Sequence, residues 1–238
     1  MTPADVGGAV LAAVAAARDA GELTCVPSDA LLTCANGSYG TPLALRLAAA
    51  ERRPAEDIAR LIAERLPLES ETRGGFLTIT APGLAEGIAA DPDYGRVAIP
   101  RPETTWPDRP RTFGNPGFCV RYAYVRAAAV RRQAADLGIA AGPHGPAGPL
   151  EIRLLDLLGD FPGRTAQAVR EGDAGVLKRH LERIAEAYHD VHERCPALPS
   201  GDEEPGPRHG GRRTLAEAVR TTIGNGLQML GETPRERL

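Results

Sequence analysis

A proline-rich segment interrupts the chain near its middle and limits the folds that the chain can adopt. Residues 99–117 contain five prolines among charged residues, together with the single tryptophan, Trp106. Proline fixes its own φ angle and biases the preceding residue toward extended geometry, so this composition predicts a stiff spacer and excludes a helix. We therefore predict two domains, residues 1–98 and 118–238, joined by a linker over residues 99–117.

The first domain is predicted to be α+β. Apolar spacing near 3.6 predicts helices over residues 3–20, from Thr41 to about residue 50, and over residues 54–66. Residues 75–80 alternate apolar with polar side chains and are rich in β-branched residues, which is typical of a strand.

The second domain is predicted to be an all-α helical bundle. The predicted helices cover residues 118–137, 150–158, 164–171, 174–194 and 214–230, with a surface loop over residues 196–211. The clearest pattern has apolar positions at spacings of four, three, four and three: Leu177, Leu181, Ile184, Tyr188 and Val191. One face of that helix is expected to be buried.

Charge and apolar patterning restrict the function. The net charge is −3, and residues 1–98 contain thirteen acidic residues against eight arginines, so nucleic-acid binding would need a local basic patch. An apolar run over residues 9–17 follows the acidic Asp5 instead of a basic segment, and no stretch reaches the ~20 apolar residues of a membrane span. We expect a cytoplasmic protein without a membrane partner.

Three ordered motifs in the second half resemble a known module. Residues 120–126 (VRYAYVR), followed by an alanine-rich basic helix, resemble the QYAHAR opening of the DALR anticodon-binding domain of arginyl-tRNA synthetases. Residues 154–162 and 181–188 resemble the middle of that domain, and residues 224–238 resemble its ending. The resemblance implies a helical anticodon-binding fold over about 120 residues.

The first half is similar to a second part of the same family. Residues 35–41 (ANGSYGT) and 75–79 (GFLTI) resemble the N-terminal add-on domain, which in the family contacts the elbow of the tRNA. Neither a HIGH-type ATP-binding motif nor a KMSKS-type loop is found between the two matches. The resemblance is therefore to an arginyl-tRNA synthetase-like protein lacking the catalytic domain, for which we expect no enzymatic activity and no cofactor.

This resemblance implies a non-catalytic tRNA-binding protein. Its expected partner is an arginine tRNA or arginyl-tRNA, which it would present, sequester or sense, with no DNA partner. Arginine can hold a phosphate in bidentate fashion and tyrosine can stack on an unpaired base. The candidate RNA-binding residues are Tyr39, Arg121, Tyr122, Tyr124, Arg126, Arg132, Arg220 and Asn225.

Two other interpretations stay open. Tyr122 could be a core residue beside a solvated arginine face, in which case the chain would be a regulatory module that binds a partner enzyme or other protein and has lost RNA binding. His189, His192 and Cys195 could approach one helix face, but their spacing is incomplete and predicts no metal site. Glu182 and Glu186 are expected to pair with arginines one turn away, without a catalytic role.

Overall fold

The computed structural model describes residues 1–99, 106–107 and 109–237, and it divides into two compact units, Met1–Pro82 and Gly83–Leu238. Helix α4 (Leu84–Ala90) belongs to the second unit, although the predicted first domain, residues 1–98, includes these residues. The domain limits given above stay a prediction, since residues 100–105 and 108 of the proposed linker lie outside the described residues.

The first unit combines three helices with a four-stranded antiparallel sheet. In chain order its elements are α1 (Pro3–Asp19), β1 (Thr33–Ala35), β2 (Ser38–Thr41), α2 (Leu43–Glu51), α3 (Ala55–Ala63), β3 (Glu69–Arg73) and β4 (Phe76–Thr80). The strand order is β1-β2-β4-β3. The predicted strand over residues 75–80 is confirmed as β4, and three further strands accompany it.

Two tight hairpins build this sheet. Asn36 and Gly37 connect β1 to β2 with φ angles of 54° and 74°, and Gly74 and Gly75 connect β3 to β4 with φ angles of 57° and 84°. Positive φ at both loop residues matches the right-handed twist of paired strands. The asparagine and glycines therefore fix the register of both hairpins.

The core of the first unit lies between the sheet and its helices. Leu77 and Ile79 alternate with exposed residues along β4 and are fully buried, and α2 and α3 pack against this strand. α1 packs against α3, and a capping box between Thr2 and Asp5 begins it. The predicted helix over residues 3–20 is confirmed.

The second unit is entirely helical in the part that the structure describes. Its elements are α4, α5 (Pro116–Asp136), α6 (Pro149–Glu171), α7 (Ala174–Arg194) and α8 (Pro207–Met229). α5 packs against α7 and α8, α6 packs against α7, and α4 packs against α8. The predicted fold class, an α+β part followed by a helical bundle, is confirmed.

Helix α7 follows the predicted periodicity. All five apolar residues that the spacing placed on one face, positions 177, 181, 184, 188 and 191, are buried. None of the helices in the described ranges is long and apolar enough to cross a membrane.

Helix α6 is continuous where two helices, over residues 150–158 and 164–171, were predicted. Pro162 lies inside it and cannot donate to the carbonyl of Leu158. The hydroxyl of Tyr94 donates to that carbonyl instead, at 2.9 Å. The helix therefore passes through the proline without leaving this carbonyl unbonded.

Helix α8 begins earlier than predicted, because glycines that suggested a loop are required for close packing. A Cβ atom added at Gly210 would lie 2.9 Å from the carbonyl oxygen of Ala140, and one at Gly211 would lie 2.6 Å from that of Pro143. The segment over residues 140–143 thus contacts the first turns of α8. The loop before α8 is therefore shorter than the predicted loop over residues 196–211.

Candidate nucleic-acid interface

The start of α5 is fixed by the chain that precedes it. Asn115 caps the helix by accepting hydrogen bonds from the backbone N–H groups of Gly117 and Phe118, at 3.0 and 3.4 Å. Its side-chain amide also donates to the carbonyls of Pro107 and Pro110, at 2.9 and 3.0 Å. The first turn of α5 and its candidate residues therefore have a defined position.

Tyr122 and Tyr124 face different surroundings. Tyr122 is partly exposed, whereas Tyr124 is 7% exposed and packs against Gly224 of α8. Residues two apart on a helix differ by roughly 200° in direction, so both could not face the same surface. The expectation that both rings are open to bases is corrected for Tyr124, whose ring is part of the bundle interior.

A cavity of about 300 Å³ lies beside the first turns of α5, and we call it the basic cavity. It brings together Arg121 and Tyr124 from the predicted set with residues from three other segments. Its described lining is Arg111, Phe118, Arg121, Tyr124, Leu227, Glu232, Thr233, Pro234, Arg235 and Arg237. Four arginines face one carboxylate there, which favours an anionic ligand.

Arg121 is already engaged by that carboxylate. Its Nε and Nη2 atoms donate to the two carboxylate oxygens of Glu232 at 2.8 and 2.7 Å, and both side chains are more than four-fifths buried. A bidentate pair of this kind is among the stronger protein ion pairs. A phosphate that bound Arg121 would have to compete with Glu232.

Arg132 is paired in a similar way. Arg131 and Arg132 both donate to the carboxylate of Glu236, at 2.7 and 2.9 Å. Two guanidinium groups share one carboxylate, so this contact keeps a net positive charge. Glu232 and Glu236 together hold the segment after α8 against α5.

A second surface surrounds Tyr122, and we call it the aromatic patch: Phe113, Phe118, Tyr122, Arg126 and His189. The guanidinium carbon of Arg126 lies 4.7 Å from the centroid of the Tyr122 ring and 5.8 Å from that of Phe113. Phe118 and Tyr122 stack with centroids 5.3 Å apart. The patch offers rings and one cation that can stack on an unpaired base.

His189 holds Arg126 in place within this patch. Burial lowers the pKa of His189, and the nearby charge of Arg126 lowers it further. The Nε2 atom lies 3.0 Å from the Cys119 carbonyl and Nδ1 lies 3.2 Å from Arg126, so a neutral ring donates to the carbonyl and accepts from the guanidinium. Arg126 also pairs with Glu193 at 3.3 Å.

Two further candidates, Arg220 and Asn225, bind other groups of the protein itself. Arg220 pairs with Glu217 at 2.6 Å, and this hydrogen bond raises the pKa of Arg220. The buried Asn225 side chain donates to the carbonyls of Pro92 and Tyr94, both at 3.0 Å, so its amide binds the protein backbone. Asn225 is 6% exposed, so its predicted contact with RNA has no open amide to rest on.

Tyr39 lies in the first unit and is 2% exposed. Its hydroxyl donates to the Met1 carbonyl at 2.8 Å, and burial raises its pKa above the usual value. The ring is part of the core beside β4 and is not open to a base. For Tyr39 to stack on a base, its ring would have to leave this core.

Some site residues were missed by sequence reasoning. Arg235 and Arg237 lie in the closing run that resembled the DALR domain, but their side chains were not assigned a role. Arg111 and Phe113 lie in the proline-rich segment, which was interpreted as a spacer alone. No group of three or more His, Cys, Asp and Glu side chains in the described chain is placed to hold a metal ion.

Comparison with known proteins identifies a related family. The family model for the DALR anticodon binding domain matches residues 120–238. The arginine-tRNA ligase of Clavibacter sepedonicus is 32% identical over 194 residues, covering 76% of this chain and 34% of that protein. The arginine-tRNA ligase of Frankia alni is 36% identical over 133 residues, covering 54% of this chain and 24% of that protein.

The chain also resembles part of a solved structure, and it is much shorter than its relatives. Thermus thermophilus arginyl-tRNA synthetase superposes with a TM-score of 0.47 at 23% identity, over 77% of this chain and 31% of that one. The chain thus spans about a third or less of the length of these relatives. The family match lies within the helical second unit, and the site residues Arg111, Phe113 and Phe118 precede it.

Proposed function

The chain belongs to the DALR anticodon binding domain family, and from that premise we propose that it binds tRNA through its second unit. The proposed ligand is an arginine tRNA or arginyl-tRNA, because the relatives at 32% and 36% identity are arginine-tRNA ligases. The proposed role is non-catalytic: the protein presents, sequesters or senses the tRNA for another process.

The basic cavity carries this proposal. Arg111, Arg235 and Arg237 line it together with the Arg121–Glu232 pair, and the Phe118 and Tyr124 side chains form part of its wall. Arginine provides several donors in a fixed geometry that suits phosphate oxygens. A cavity of about 300 Å³ is at the small end of the range for ligand sites, which fits one nucleotide better than a duplex.

The aromatic patch supports single-stranded RNA as the ligand. Tyr122 is partly exposed beside Arg126, and Phe113 is 55% exposed. Stacking of one base on such a ring is worth about 1–3 kcal/mol. Because Phe118 contacts Tyr122 and also lines the basic cavity, one loop can place a phosphate in the cavity and a base on the patch.

The experiment is a filter-binding titration of the full chain with an arginine tRNA transcript and with duplex RNA, at several salt concentrations. Arg237→Ala should weaken tRNA binding about five- to tenfold and reduce the salt slope by about one. Arg170→Ala changes an exposed arginine of α6 away from the cavity and should have less than about a twofold effect. Equal affinity for tRNA and duplex RNA, or equal effects of the two variants, would refute the proposal.

A second function is favoured by one specific observation. Glu232 and Glu236 pair with three of the four arginines of α5, Arg121, Arg131 and Arg132. These pairs fit a module that binds another protein and has lost RNA binding. Purification of a stable protein complex whose A260/A280 ratio shows no nucleic acid, combined with no tRNA binding in the titration, would establish this alternative.

A further inference from the structure

Residues 109–115 link the two surfaces that the proposed tRNA site combines, and we call them the anchored segment. Arg111 of this segment lines the basic cavity, and Phe113 belongs to the aromatic patch. One position separates the two residues, so a single stretch of backbone supplies the cavity with a cation and the patch with a ring. The positions of both side chains therefore depend on what holds this backbone.

Asn115, at the end of the anchored segment, is 3% exposed and joins the segment to α5. Its amide nitrogen donates to the carbonyls of Pro107 and Pro110, at 2.9 and 3.0 Å. Its amide oxygen accepts from the N–H groups of Gly117 and Phe118 in the first turn of α5. An asparagine side chain can make four hydrogen bonds, and this one makes all four to backbone groups.

The backbone of the anchored segment makes two further contacts. The N–H of Asn115 donates to the carbonyl of Thr112 at 2.9 Å. The thiol of Cys119 donates to the carbonyl of Phe113 at 3.2 Å. The carbonyls of the residues on either side of Arg111 therefore both accept from Asn115, one from its side chain and one from its N–H.

The chain before the anchored segment is held at the same cavity. Arg121 donates to the Pro107 carbonyl at 3.4 Å, so Arg121 and Asn115 share this acceptor. Gly117 allows the preceding residue, Trp106, to lie close to α5, since a Cβ atom at residue 117 would lie 2.4 Å from the Trp106 Cβ atom. The Asn115 amide thus fixes backbone that already contacts one arginine of the cavity.

We propose that Asn115 is a positioning residue for RNA binding, which holds Arg111 at a phosphate and Phe113 at a base. This inference rests on the proposed function and deepens it, because it assigns the geometry of the tRNA site to a buried residue that does not contact RNA. Ordering a loop and its side chains during binding costs affinity, and a segment already held in its bound geometry avoids that cost. Without the two amide donors, the RNA itself has to order the anchored segment.

Asn115→Ser tests this role in a filter-binding titration of the full chain with an arginine tRNA transcript. Serine caps a helix about as well as asparagine and adds no charge, but its hydroxyl has one hydrogen for two carbonyls. The variant should weaken binding about five- to tenfold and reduce the salt slope by about one. Thr165→Val is the control: it removes a buried hydrogen bond to the Pro162 carbonyl in α6, also without a charge change, and should have less than about a twofold effect.

A double-mutant cycle separates positioning from general destabilisation. Arg111→Ala alone should weaken tRNA binding about three- to fivefold. In the Asn115→Ser background the same change should alter the affinity by less than about 1.5-fold, because the arginine is no longer held at the cavity. Arg237→Ala lies outside the anchored segment and should weaken binding by the same factor in both backgrounds.

Limited digestion with trypsin measures the holding of the segment without RNA. Arg111 is followed by Thr112 and can be cleaved, whereas Arg109 is followed by a proline and resists trypsin. Asn115→Ser should accelerate cleavage after Arg111 about tenfold, because the protease needs a locally opened backbone. Thr165→Val should leave this rate unchanged. Mass spectrometry identifies the cleaved bond, and circular dichroism verifies that the variants are folded.

Two results would overturn the inference. One is an equal rate of cleavage after Arg111 in the wild-type chain and in Asn115→Ser. The other is that Asn115→Ser and Arg111→Ala have additive effects on tRNA affinity. Absence of tRNA binding by the wild-type chain is a separate outcome that refutes the proposed function, and faster cleavage in Asn115→Ser would then still support the holding of the segment by Asn115.

Discussion

The hydroxyl of Tyr94 donates a hydrogen bond of 2.9 Å to the carbonyl of Leu158, one helical turn before Pro162 in α6. The Tyr94 ring also stacks on Phe161, with centroids 6.1 Å apart. Gly95 allows this approach, since a Cβ atom there would lie 2.5 Å from the Phe161 ring. Tyr94 and Gly95, which precede the proline-rich segment, thus help α6 to continue past Pro162.

Tyr94→Phe should destabilise the second unit by about 1–3 kcal/mol, because it leaves a buried carbonyl without its donor. The measurement is the free energy of unfolding from urea titration. In a Pro162→Ala background the new backbone N–H of residue 162 can donate to Leu158, so the cost of Tyr94→Phe should shrink by at least half. An equal cost in both backgrounds would contradict this account of the bond.

Gly226→Ala should destabilise the bundle by about 1–3 kcal/mol through overpacking. A Cβ atom at residue 226 would lie 2.5 and 2.8 Å from the two methyl carbons of Leu181, which is fully buried. Gly163→Ala is the control: it lies on the exposed side of α6 with open space, and should stabilise by about 0.5–1 kcal/mol. The midpoint of thermal unfolding is measured for both variants. Similar shifts of this midpoint in Gly226→Ala and Gly163→Ala would refute the packing argument.

His180 should make stability depend on pH. Burial lowers its pKa to about 4, although its hydrogen bond to the Leu157 carbonyl opposes the shift. Between this value and about 6.5 the unfolded chain binds a proton that the folded chain does not, so stability falls as pH falls through that window. The stability that the neutral His180 ring allows is fully present above about pH 6.5 and lost below about pH 4.

His180→Gln should flatten this dependence by up to about 1.4 kcal/mol per pH unit. Urea unfolding at several pH values within the window provides the measurement. The other buried histidines, including His189, keep part of the slope, because burial lowers the pKa of His189 as well. An unchanged slope in the variant would show that His180 is protonated equally in both states.

Glu232→Gln should strengthen tRNA binding about three- to tenfold. The change removes the charge that engages Arg121 at 2.7 Å and leaves the cavity more positive. Glu204→Gln, on the exposed loop before α8, controls for the loss of one negative charge. If neither variant alters the affinity, the basic cavity is not the tRNA site.

Local periodicity was sufficient to predict much of the second unit. The spacing of Leu177, Leu181 and Ile184 identified the buried face of α7 because that face depends only on helical geometry. The same geometry could have separated Tyr122 from Tyr124, since two positions along a helix point in nearly opposite directions. The loop residues Asn36 and Gly37 likewise gave a hairpin signal that the strand prediction did not use.

Contacts between distant residues could not be predicted in this way. Pro162 suggested a helix end, and only the position of Tyr94 in space explains why α6 continues. Gly210 and Gly211 suggested a loop, and only the backbone over residues 140–143 explains their place inside α8. The basic cavity similarly depends on Arg111 and Arg237, which the sequence separates by most of the second unit.

Helix α5 presents the arginine-lined cavity on its side toward the end of α8. A polyanion that diffuses toward this unit meets an attractive field at this flank. Productive encounters are therefore oriented before any contact forms. The rate of association, more than the lifetime of the complex, should decrease as ionic strength rises.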